Sequence, residues 1–552
     1  MKKKNIYQNT LIGGFFMVLL ATTASAQNYF VDPLNGSNNN NGTAVNQAWA
    51  TIQKGLASIP SGATLILRGG TYFGKVTVPT TCNGTAARPT TIKSLDGELA
   101  IIDGLNSGVQ WEGLFSFSQN QFINLEGIKV QNGFWYGINV SNSNNILVTD
   151  CQAFNTRASG IYANGCTILT VTKCNVRKAC QGNVRDGNGN GTQEDVSIVA
   201  SNNFKVTKNE VWDSTVGGSA GGEGIDVKGG SRDGEVSYNY VHDIVPLGIY
   251  IDAGSGEEYN IRVFGNKLYR TGGLGVAGEL GGHLHETYLY NNVVAASKGS
   301  GVVFQSVGNG KFTNVYIVNN TFYNNCVNTT LSFMGDIGSY TSNAACANMV
   351  IRNNIFHNRG TQTKFSIWYN IPAAHVVSHN LFYDFKASAN GGLSFTTANL
   401  TANDLQVDPQ FSNVGIEDFS LLPTSPAINK GTPITLPNST TPLFTTDYNG
   451  NPKGASWDMG AYEYTARVGT TDLNAENRLT IYPNPAHNQV VIEVKNLNAF
   501  VDFYDVLGKN VLRQKASADK TIVDISGLAE GIYFVKTMDK NNVLRIGKFA
   551  KK

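Results

Sequence analysis

The sequence predicts an all-β fold in which short parallel strands stack into a solenoid, a parallel β-helix. A short pattern recurs at intervals of 23 to 35 residues: an apolar residue, two variable residues, then Asn or another small residue. Self-similarity at this period is typical of solenoids. Charged residues make up only 15% of the chain, and 60 of its 552 residues are Gly. Buried aliphatic strands joined by small polar turns produce such a composition.

Residues 1–26 are predicted to be a secretory signal peptide. Lys2–Lys4 form a basic start, Leu11–Ala21 an apolar run, and Ala24–Ala26 a small-residue cleavage site. The run of about 11 residues is too short to span a bilayer, and we expect no transmembrane segment. Removing three Lys and no acids leaves 39 basic and 40 acidic residues. This near-neutral balance argues against nucleic acid as a partner.

A short amphipathic helix is predicted to cap the start of the coil. Four apolar residues recur at helical spacing and stop before Pro60, namely Trp49, Ile52, Leu56 and Ile59. Strands are predicted on either side, at Tyr29–Pro33 and Ala63–Leu67. This stretch resembles the N-terminal cap of right-handed parallel β-helix polysaccharide lyases, the pectate lyase-like superfamily. The resemblance implies a right-handed coil, a fold shared by many activities.

The repeats predict a ladder of asparagines at one bend of the coil. The pattern ends in Asn at seven successive repeats, which are Asn209, Asn239, Asn266, Asn292, Asn320, Asn354 and Asn380. Stacked asparagine amides can hydrogen-bond along such a column. Cys151 and Cys174 occupy the same position in earlier repeats, so we expect them to be buried packing residues. Of the seven cysteines, Cys326 and Cys346 are the most plausible disulfide, and no spacing matches a zinc site.

Beyond Leu381 the repeat decays into a predicted C-terminal cap that ends at Tyr462, so the β-helix domain covers residues 27–464. Residues 465–476 are polar and are predicted to be a linker, followed by a small β-sandwich domain at 477–552. Its motifs are Tyr482–Pro485, Phe503–Lys509, Asp524–Leu528, Gly531–Phe534 and the basic end Lys548–Lys552. They resemble the type A C-terminal sorting domain of the type IX secretion system of Bacteroidetes. The resemblance implies that the secretion machinery is a partner and that the protein is released or displayed on the surface.

Three segments predict where the chemistry lies. Gly224–Lys228, Gly248–Asp252 and Gly275–Glu279 begin 24 and 27 residues apart and can be superimposed position for position. Since neighbouring rungs lie about 4.8 Å apart, equivalent side chains form columns. We therefore predict Lys228, Asp252 and Glu279 in one outward column with Asp226 beside it, and assign these four as candidate catalytic residues. Candidate substrate-binding residues are Tyr250, Arg232, His283 and His285.

Two mechanisms fit these residues, and a binding role is the third hypothesis. In β-elimination on a uronic-acid polymer, calcium neutralises a substrate carboxylate while Lys228 removes a proton. The cation would be held by carboxylates of this cluster, with Glu223 among them. In glycoside hydrolysis, a pair drawn from Asp226, Asp252 and Glu279 would act as acid and base or nucleophile. We prefer the lyase because Lys228 lies inside the acidic cluster; a non-catalytic carbohydrate-binding or adhesive surface protein is the alternative outside enzymology. In each case we expect a monomer.

A second candidate calcium site precedes this cluster. Asp186, Asn188 and Asn190 alternate with glycines and resemble the opening of a calcium-binding loop. The twelfth position is Ser197 instead of an acid, and Glu194 or Asp195 could substitute. A flexible Asn-Gly turn without metal is the alternative.

Overall fold

The computed structural model divides into two compact units, residues 1–464 and 465–552. It describes residues 27–182, 193–214, 221–306, 309–327, 335–339, 345–358, 365–368, 375–387, 395–465, 479–493, 500–506, 509–516, 520–538 and 544–552. The predicted signal peptide and most of the predicted linker lie outside these residues.

The first unit is a coil of three parallel sheets, and most rungs contribute a strand to each sheet in turn. Within the described residues, sheet 1 comprises Asn28–Val31, Thr64–Leu67, Thr90–Ser94, Gln121–Glu126, Asn144–Thr149, Thr167–Thr172, Lys205–Thr207, Arg232–Ser237, Glu257–Phe264, His283–Tyr290, Lys311–Val318, Ala345–Ala347, Met349–Arg352 and His375–Ser378. Sheet 2 comprises Gly70–Phe73, Ala100–Asp103, Ile128–Gln131, Gln152–Phe154, Asn175–Arg177, Glu210–Trp212, Tyr240–His242, Lys267–Tyr269, Val293–Ala295, Thr321–Tyr323, Ile355–His357 and Leu381–Tyr383. Sheet 3 comprises Val76–Val78, Gly113–Ser118, Tyr136–Ser141, Ile161–Asn164, Val196–Val199, Ile225–Lys228, Ile249–Asp252, Leu274–Gly278, Val302–Ser306, Gly335–Ser339 and Phe365–Trp368.

Alternation along the strands builds the core. In sheet 1, Val148 and Val171 are paired across neighbouring rungs and fully buried, while Thr149 and Thr172 beside them face outward. Each rung adds apolar side chains of this kind to one continuous core that extends along the coil. Burial of about 25 cal/mol per Å² of apolar surface makes this inner column the main source of stability. The predicted parallel β-helix is confirmed.

The predicted helix is present at Ile52–Ser58 and covers the first strands. Thr51 caps it, since its hydroxyl accepts a hydrogen bond from Lys54 N at 3.2 Å. Ile52 and Leu56 are buried in the same core as Val31. The helix thereby shields the open apolar end of the coil. Short 3₁₀ turns occur at Val45–Gln47, Thr80–Cys82, Glu279–Gly281, Thr397–Asn399 and Val414–Ile416.

The predicted asparagine ladder is confirmed at the bend between sheets 1 and 2. Each side-chain oxygen accepts the backbone N–H and the amide of the previous asparagine; for Asn266 and Asn239 these distances are 3.0 and 2.9 Å. The amide of Asn266 also donates to Val236 O at 2.8 Å. The same contacts recur from Asn209 to Asn380. Cys151 and Cys174 continue the column as buried thiols without a disulfide, as predicted.

The segment predicted as a C-terminal cap has two different roles. Phe385, Phe395 and Leu400 pack against the apolar end of the coil and do cap it. Residues beyond them instead return along the outside of the coil. Trp457 packs in a cluster with sheet 1 residues, and Tyr462 packs with sheet 2 residues. The outer side chains of the last rungs are large and aromatic, so they need this lateral cover as well as an end cap. The segment contains one antiparallel pair, Phe411–Asn413 with Asp418–Leu421.

The second unit consists of two antiparallel sheets that share one apolar core, in agreement with the predicted small β-sandwich. One sheet contains Thr480–Tyr482, Gln489–Glu493 and Lys520–Asp524. The other contains Asn510–Lys515, Phe500–Tyr504, Gly531–Met538 and Leu544–Lys551. Among the described residues, no helix has the length and hydropathy needed to cross a bilayer.

Candidate active site

The candidate site lies on the outer face of sheet 3, where four strands stack in register. Asp226 pairs with Ser197 on one side and Tyr250 on the other, and Lys228 pairs with Val199 and Asp252. The predicted adjacency of Lys228 and Asp252 is therefore present, and Asp226 lies in the neighbouring column of the same face.

The predicted column does not continue to Glu279. Asp252 pairs with Ala277, and Gly248 N donates to Gly273 O at 2.8 Å, so the third segment is shifted by two residues. Glu279 follows the strand and begins a 3₁₀ turn. A shift of two keeps the same side chains facing outward, which explains why the sequence pattern could not detect it. Glu279 still approaches the cluster, through Tyr250.

Lys228 is held between two acids. Its Nζ lies 2.6 Å from Glu194 Oε1 and 3.0 Å from Asp226 Oδ2. Both acids are almost fully buried, whereas the lysine side chain is 24% exposed. Burial acts against the charged lysine, but attraction to Asp226 and Glu194 outweighs it and raises the pKa of Lys228 well above its ordinary value. Lys228 is therefore a protonated ammonium in this arrangement.

Sequence reasoning placed Glu194 only in the calcium loop and missed its central position. Ser197 Oγ donates to Glu194 Oε2 at 2.6 Å, so both oxygens of this carboxylate are engaged. Extending the pairing of Val196 with Ile225 by two residues places Glu194 beside Glu223. The two glutamates thus hold equivalent positions in successive rungs, just before the strand. This equivalence was available from the sequence once Val196–Val199 was recognised as a strand.

Acids outnumber the cation in this cluster. Asp226 Oδ1 is buried and has no hydrogen-bond partner among the described residues. Glu258, on the sheet 1 strand Glu257–Phe264, is fully buried, and burial, with Asp226 and Asp252 nearby, raises its pKa well above its ordinary value. Burial likewise raises the pKa of Asp226, opposed by Lys228. One ammonium cannot neutralise this many carboxylates, so the cluster must hold protons or bind a further cation.

Two of the acids titrate near neutral pH. Burial, and then the charge of Glu279, raises the pKa of Asp252 to about 6. Burial, and then the charge of Glu194, raises the pKa of Glu223 to about 7. Carboxyls with such values can act as proton donors near neutral pH.

Tyr250 connects the cluster to Glu279. Its hydroxyl lies 2.7 Å from Glu279 Oε1 and 2.8 Å from Gln305 Oε1. The next residue in its column is Gly275, and a Cβ there would lie 2.6 Å from Tyr250 Cδ2. The same Cβ would lie 2.5 Å from Leu247 Cδ1, so the absence of a side chain at Gly275 leaves room for both the Tyr250 ring and Leu247.

Aromatic side chains extend the same face towards the N-terminal rungs. Tyr162 occupies the column of Asp226, two rungs away, and stacks on Tyr136 with ring centroids 4.2 Å apart. The ring of Trp135 packs edge-on against Tyr136, and the ring centroid of Trp111 lies 5.1 Å from that of Trp135. Trp111 is 57% exposed. Tyr136 and Trp135 are buried, so the rings that this face offers beside the charged cluster are those of the half-buried Tyr162 and the exposed Trp111. Such rings suit sugars that carry polar groups.

The other predicted substrate-binding residues lie around the bend on sheet 1. Arg232 pairs with Tyr259, which in turn pairs with His285, so these three form one outward column there. His283 lies two residues before His285 on the same strand. Tyr250 is thus the one member of the predicted substrate-binding set that joins the cluster of Lys228.

The predicted calcium loop is described only in part. Asp186, Asn188 and Asn190 lie outside the described residues. Glu194 extends towards Lys228, whereas Asp195 is fully buried near Cys180 and Ser214. Burial raises the pKa of Asp195 well above its ordinary value. The two acids therefore lie in different surroundings, and only Glu194 belongs to the sheet 3 cluster.

Comparisons with known proteins agree with this architecture. Residues 29–208 match the family described as Pel9A-like, right-handed β-helix region, and residues 480–552 match the secretion system C-terminal sorting domain. A search of curated proteins found no significant match. The sorting domain directs the protein through type IX secretion to the medium or the cell surface.

Similar solved structures include enzymes and an adhesin. Pectate lyase Pel9A aligns at 15% identity and a TM-score of 0.42, over 80% of this chain and 97% of that chain. XylC, solved with xylose, aligns at 11% identity and 0.49, over 79% and 98%. The Streptococcus pneumoniae surface protein and adhesin PfbA aligns at 12% and 0.43, over 60% and 94%. Likenesses at this identity concern the fold alone. The first unit is thus a right-handed parallel β-helix whose residues 29–208 match the Pel9A-like family, and the second unit is a type IX secretion sorting domain.

Proposed function

We propose that this protein is a secreted lyase that cleaves an acidic, uronic-acid-containing polysaccharide by β-elimination on the outer face of sheet 3. One observation carries the proposal: the half-buried Lys228 lies among more carboxylates than it can neutralise, on a face that also presents the rings of Tyr162 and Trp111. The N-terminal match supports it, since Pel9A, which gives the matched family its name, is a pectate lyase.

A divalent cation fits the donor set. Carboxylate oxygens are the ligands that calcium prefers, and Asp226 Oδ1 is a buried oxygen without a partner among the described residues. Asp226, Asp252 and Glu223 are the residues that would hold the ion, and their side chains must turn towards it, since they are not among the described residues whose ligand atoms already lie within 4.8 Å of one another. When bound, it would supply positive charge that neutralises a substrate carboxylate and offsets the acids that raise the pKa of Lys228.

Lys228 is the proposed base. To remove the proton beside the substrate carboxylate, it must first lose its own proton, which Asp226 and Glu194 oppose. Activity is therefore expected to rise with pH above neutrality. Glu194, held by Ser197, positions the lysine. Tyr162, whose ring stacks on the buried Tyr136, would bind a sugar unit about two rungs, or roughly 10 Å, away.

Glycoside hydrolysis is the second candidate, favoured by a specific observation. Asp252, with its pKa raised to about 6, is suited to donate a proton to a leaving sugar oxygen. Glu279 lies close enough to influence that pKa and is oriented by Tyr250. In this alternative Lys228 only keeps Asp226 ionised.

Product chemistry separates the candidates. Alginate, pectate, glycosaminoglycans and neutral glycans would be incubated with residues 27–552, with calcium or a chelator, and both ultraviolet absorbance and reducing ends recorded. Elimination predicts an absorbing unsaturated product that requires calcium and falls about 10²- to 10⁴-fold in Lys228→Ala. The matched control is Lys205→Ala, an exposed lysine on sheet 1 that should leave the rate unchanged.

Other outcomes would overturn the lyase proposal. Reducing ends without absorbance, lost in Asp252→Asn and retained in Lys228→Ala, would assign hydrolysis. Binding to a glycan without any product would assign the third hypothesis, a non-catalytic carbohydrate-binding or adhesive protein.

A further inference from the structure

We propose a transition-metal site on sheet 1, formed by Glu257, His283 and His285 and separate from the acid cluster of sheet 3. One ligand atom from each residue lies within 4.8 Å of the others. Imidazole nitrogens bind Zn²⁺, Cu²⁺ and Ni²⁺ in preference to calcium or magnesium. The site would therefore bind one of these transition-metal ions, whereas the carboxylate cluster of sheet 3 would prefer calcium.

Strand pairing brings the three side chains together. Glu257 pairs directly with His283 across neighbouring rungs, and His285 follows His283 by two residues on the same face. The imidazole rings of His283 and His285 have centroids 4.6 Å apart. His283 Nδ1 lies 3.9 Å from Glu257 Oε1, so a small rotation of the exposed glutamate brings the three donors around one ion.

Neighbouring residues orient both histidines. His283 Nε2 lies 2.7 Å from Thr313 Oγ1. When Nδ1 binds metal, Nε2 carries the proton and Thr313 is placed to accept it, a contact typical of metal-bound histidines. The ring of His285 stacks on Tyr259 at 4.9 Å, which fixes its plane.

Charge at the site is compatible with a cation. Glu257 supplies a carboxylate that is 70% exposed, and Lys311 is the neighbour of His283 in the next rung. Three protein ligands on an exposed face leave a fourth position to water, so the bound metal would be open and exchangeable.

Metal binding by the secreted chain tests this site. Residues 27–552, without an affinity tag, would be dialysed against Zn²⁺ in excess calcium, an ion that prefers carboxylates and competes poorly for imidazole. We expect one retained Zn²⁺ per chain and, with Co²⁺ in its place, visible absorption bands of nitrogen-ligated metal. His283→Ala and His285→Ala should each weaken binding at least about 100-fold, and Thr313→Ala about 10-fold. His379→Ala, a part-buried histidine after strand His375–Ser378, is the matched control and should leave binding unchanged.

Two results would overturn the proposal. One is a wild-type chain that retains no Zn²⁺ and gives no Co²⁺ bands. The other is Zn²⁺ retention that is equal in wild type, His283→Ala and His285→Ala, which would place the ion elsewhere. The unfolding midpoints of the metal-free histidine variants must match that of wild type, which shows that they are folded. If they do not match, Glu257→Gln provides a second test, because it changes an exposed side chain and should weaken Zn²⁺ binding by up to about 10-fold.

Discussion

The asparagine ladder and the sheet 3 cluster occupy overlapping rungs of the same coil, but they differ in whether the residue repeats from rung to rung and in whether its polar groups are satisfied. In the ladder, identical residues repeat and each amide is satisfied by the next, as Asn239, Asn266 and Asn292 show. In the cluster, the residue changes at every rung, from Ser197 to Asp226 to Tyr250. Its buried acids share a single lysine among the described residues.

The contrast separates the residues that stabilise the coil from those that act on a substrate. A column of equal residues gains one set of hydrogen bonds per rung and is worth most when nothing interrupts it. Buried like charges lower stability and are retained where chemistry requires them. Substitutions in the ladder should therefore lower the free energy of unfolding strongly. Substitutions of acids in the cluster should lower it little or raise it.

The largest expected effect on stability comes from breaking the ladder at its middle. Asn266→Ala removes donors to Val236 O and Asn292 Oδ1 and the acceptor of Asn239. Several buried polar groups lose their partners, so we expect a loss of about 3–5 kcal/mol in unfolding free energy. Denaturant unfolding measures it. Asn449→Ala, an exposed asparagine of the outer segment, should change stability by less than about 0.5 kcal/mol; equal losses in both variants would refute the structural role of the ladder.

The second effect concerns pH and belongs to the cluster. The pKa of Asp252 is about 6 and that of Glu223 about 7 in the folded protein, against ordinary values of 3.8 and 4.5. The folded state therefore holds more protons than the unfolded state. The stability they contribute is fully present below about pH 4 and is lost as pH rises to about 7. We expect a decline of roughly 3 kcal/mol for each of the two carboxyls across this window, given about 1.4 kcal/mol per pKa unit.

A double variant isolates that decline. Asp252→Asn with Glu223→Gln should flatten the dependence of the unfolding midpoint on pH, relative to wild type. Asn266→Ala should lower the midpoint at every pH but keep the wild-type slope, since the ladder does not titrate. An unchanged slope in the double variant would show that these two carboxyls titrate normally.

The sequence predicted the regular part of this comparison better than the irregular part. Valine and asparagine recur at fixed offsets, so the ladder from Asn209 to Asn380 could be derived before any coordinates. The alignment of Glu279 was wrong by two residues, because a shift of two preserves the outward face and only backbone pairing of Gly273 reveals it. Glu194 was assigned to a different site, because its loop resembled a calcium motif.

Long-range packing was also beyond local patterns. The segment after Phe411 has no repeat, and its contacts with sheets 1 and 2 depend on side chains far earlier in the chain. The bend that separates His283 and His285 from the cluster is a property of the three-sheet coil. Candidate residues close in sequence were consequently divided between two faces.

A smaller effect should come from filling the space beside Tyr250. In Gly275→Ala the added Cβ would lie 2.6 Å from the tyrosine ring, which must move away from Glu279. We expect a loss of about 1–3 kcal/mol and, if sugars bind on this face, a higher KM. In Gly256→Ala, on a nearby exposed turn, the Cβ would meet nothing closer than 3.9 Å, so both quantities should remain unchanged. Equal behaviour of the two variants would mean that the Tyr250 ring is not held in place by Gly275.

The smallest change in stability is expected where the change in activity is largest. Asp226→Asn removes one of the two acids that contact Lys228 but leaves Glu194 at 2.6 Å, so the ammonium stays paired. Since burial raises the pKa of Asp226, its ionised form is costly, and we expect a change of less than about 1 kcal/mol in unfolding free energy at pH 7. Activity should nevertheless fall about 10²-fold or more if this carboxylate serves the reaction. Removing a partner from a structural buried ion pair typically costs about 3–5 kcal/mol, so a loss of that size with full activity would make Asp226 a stabilising residue of the coil.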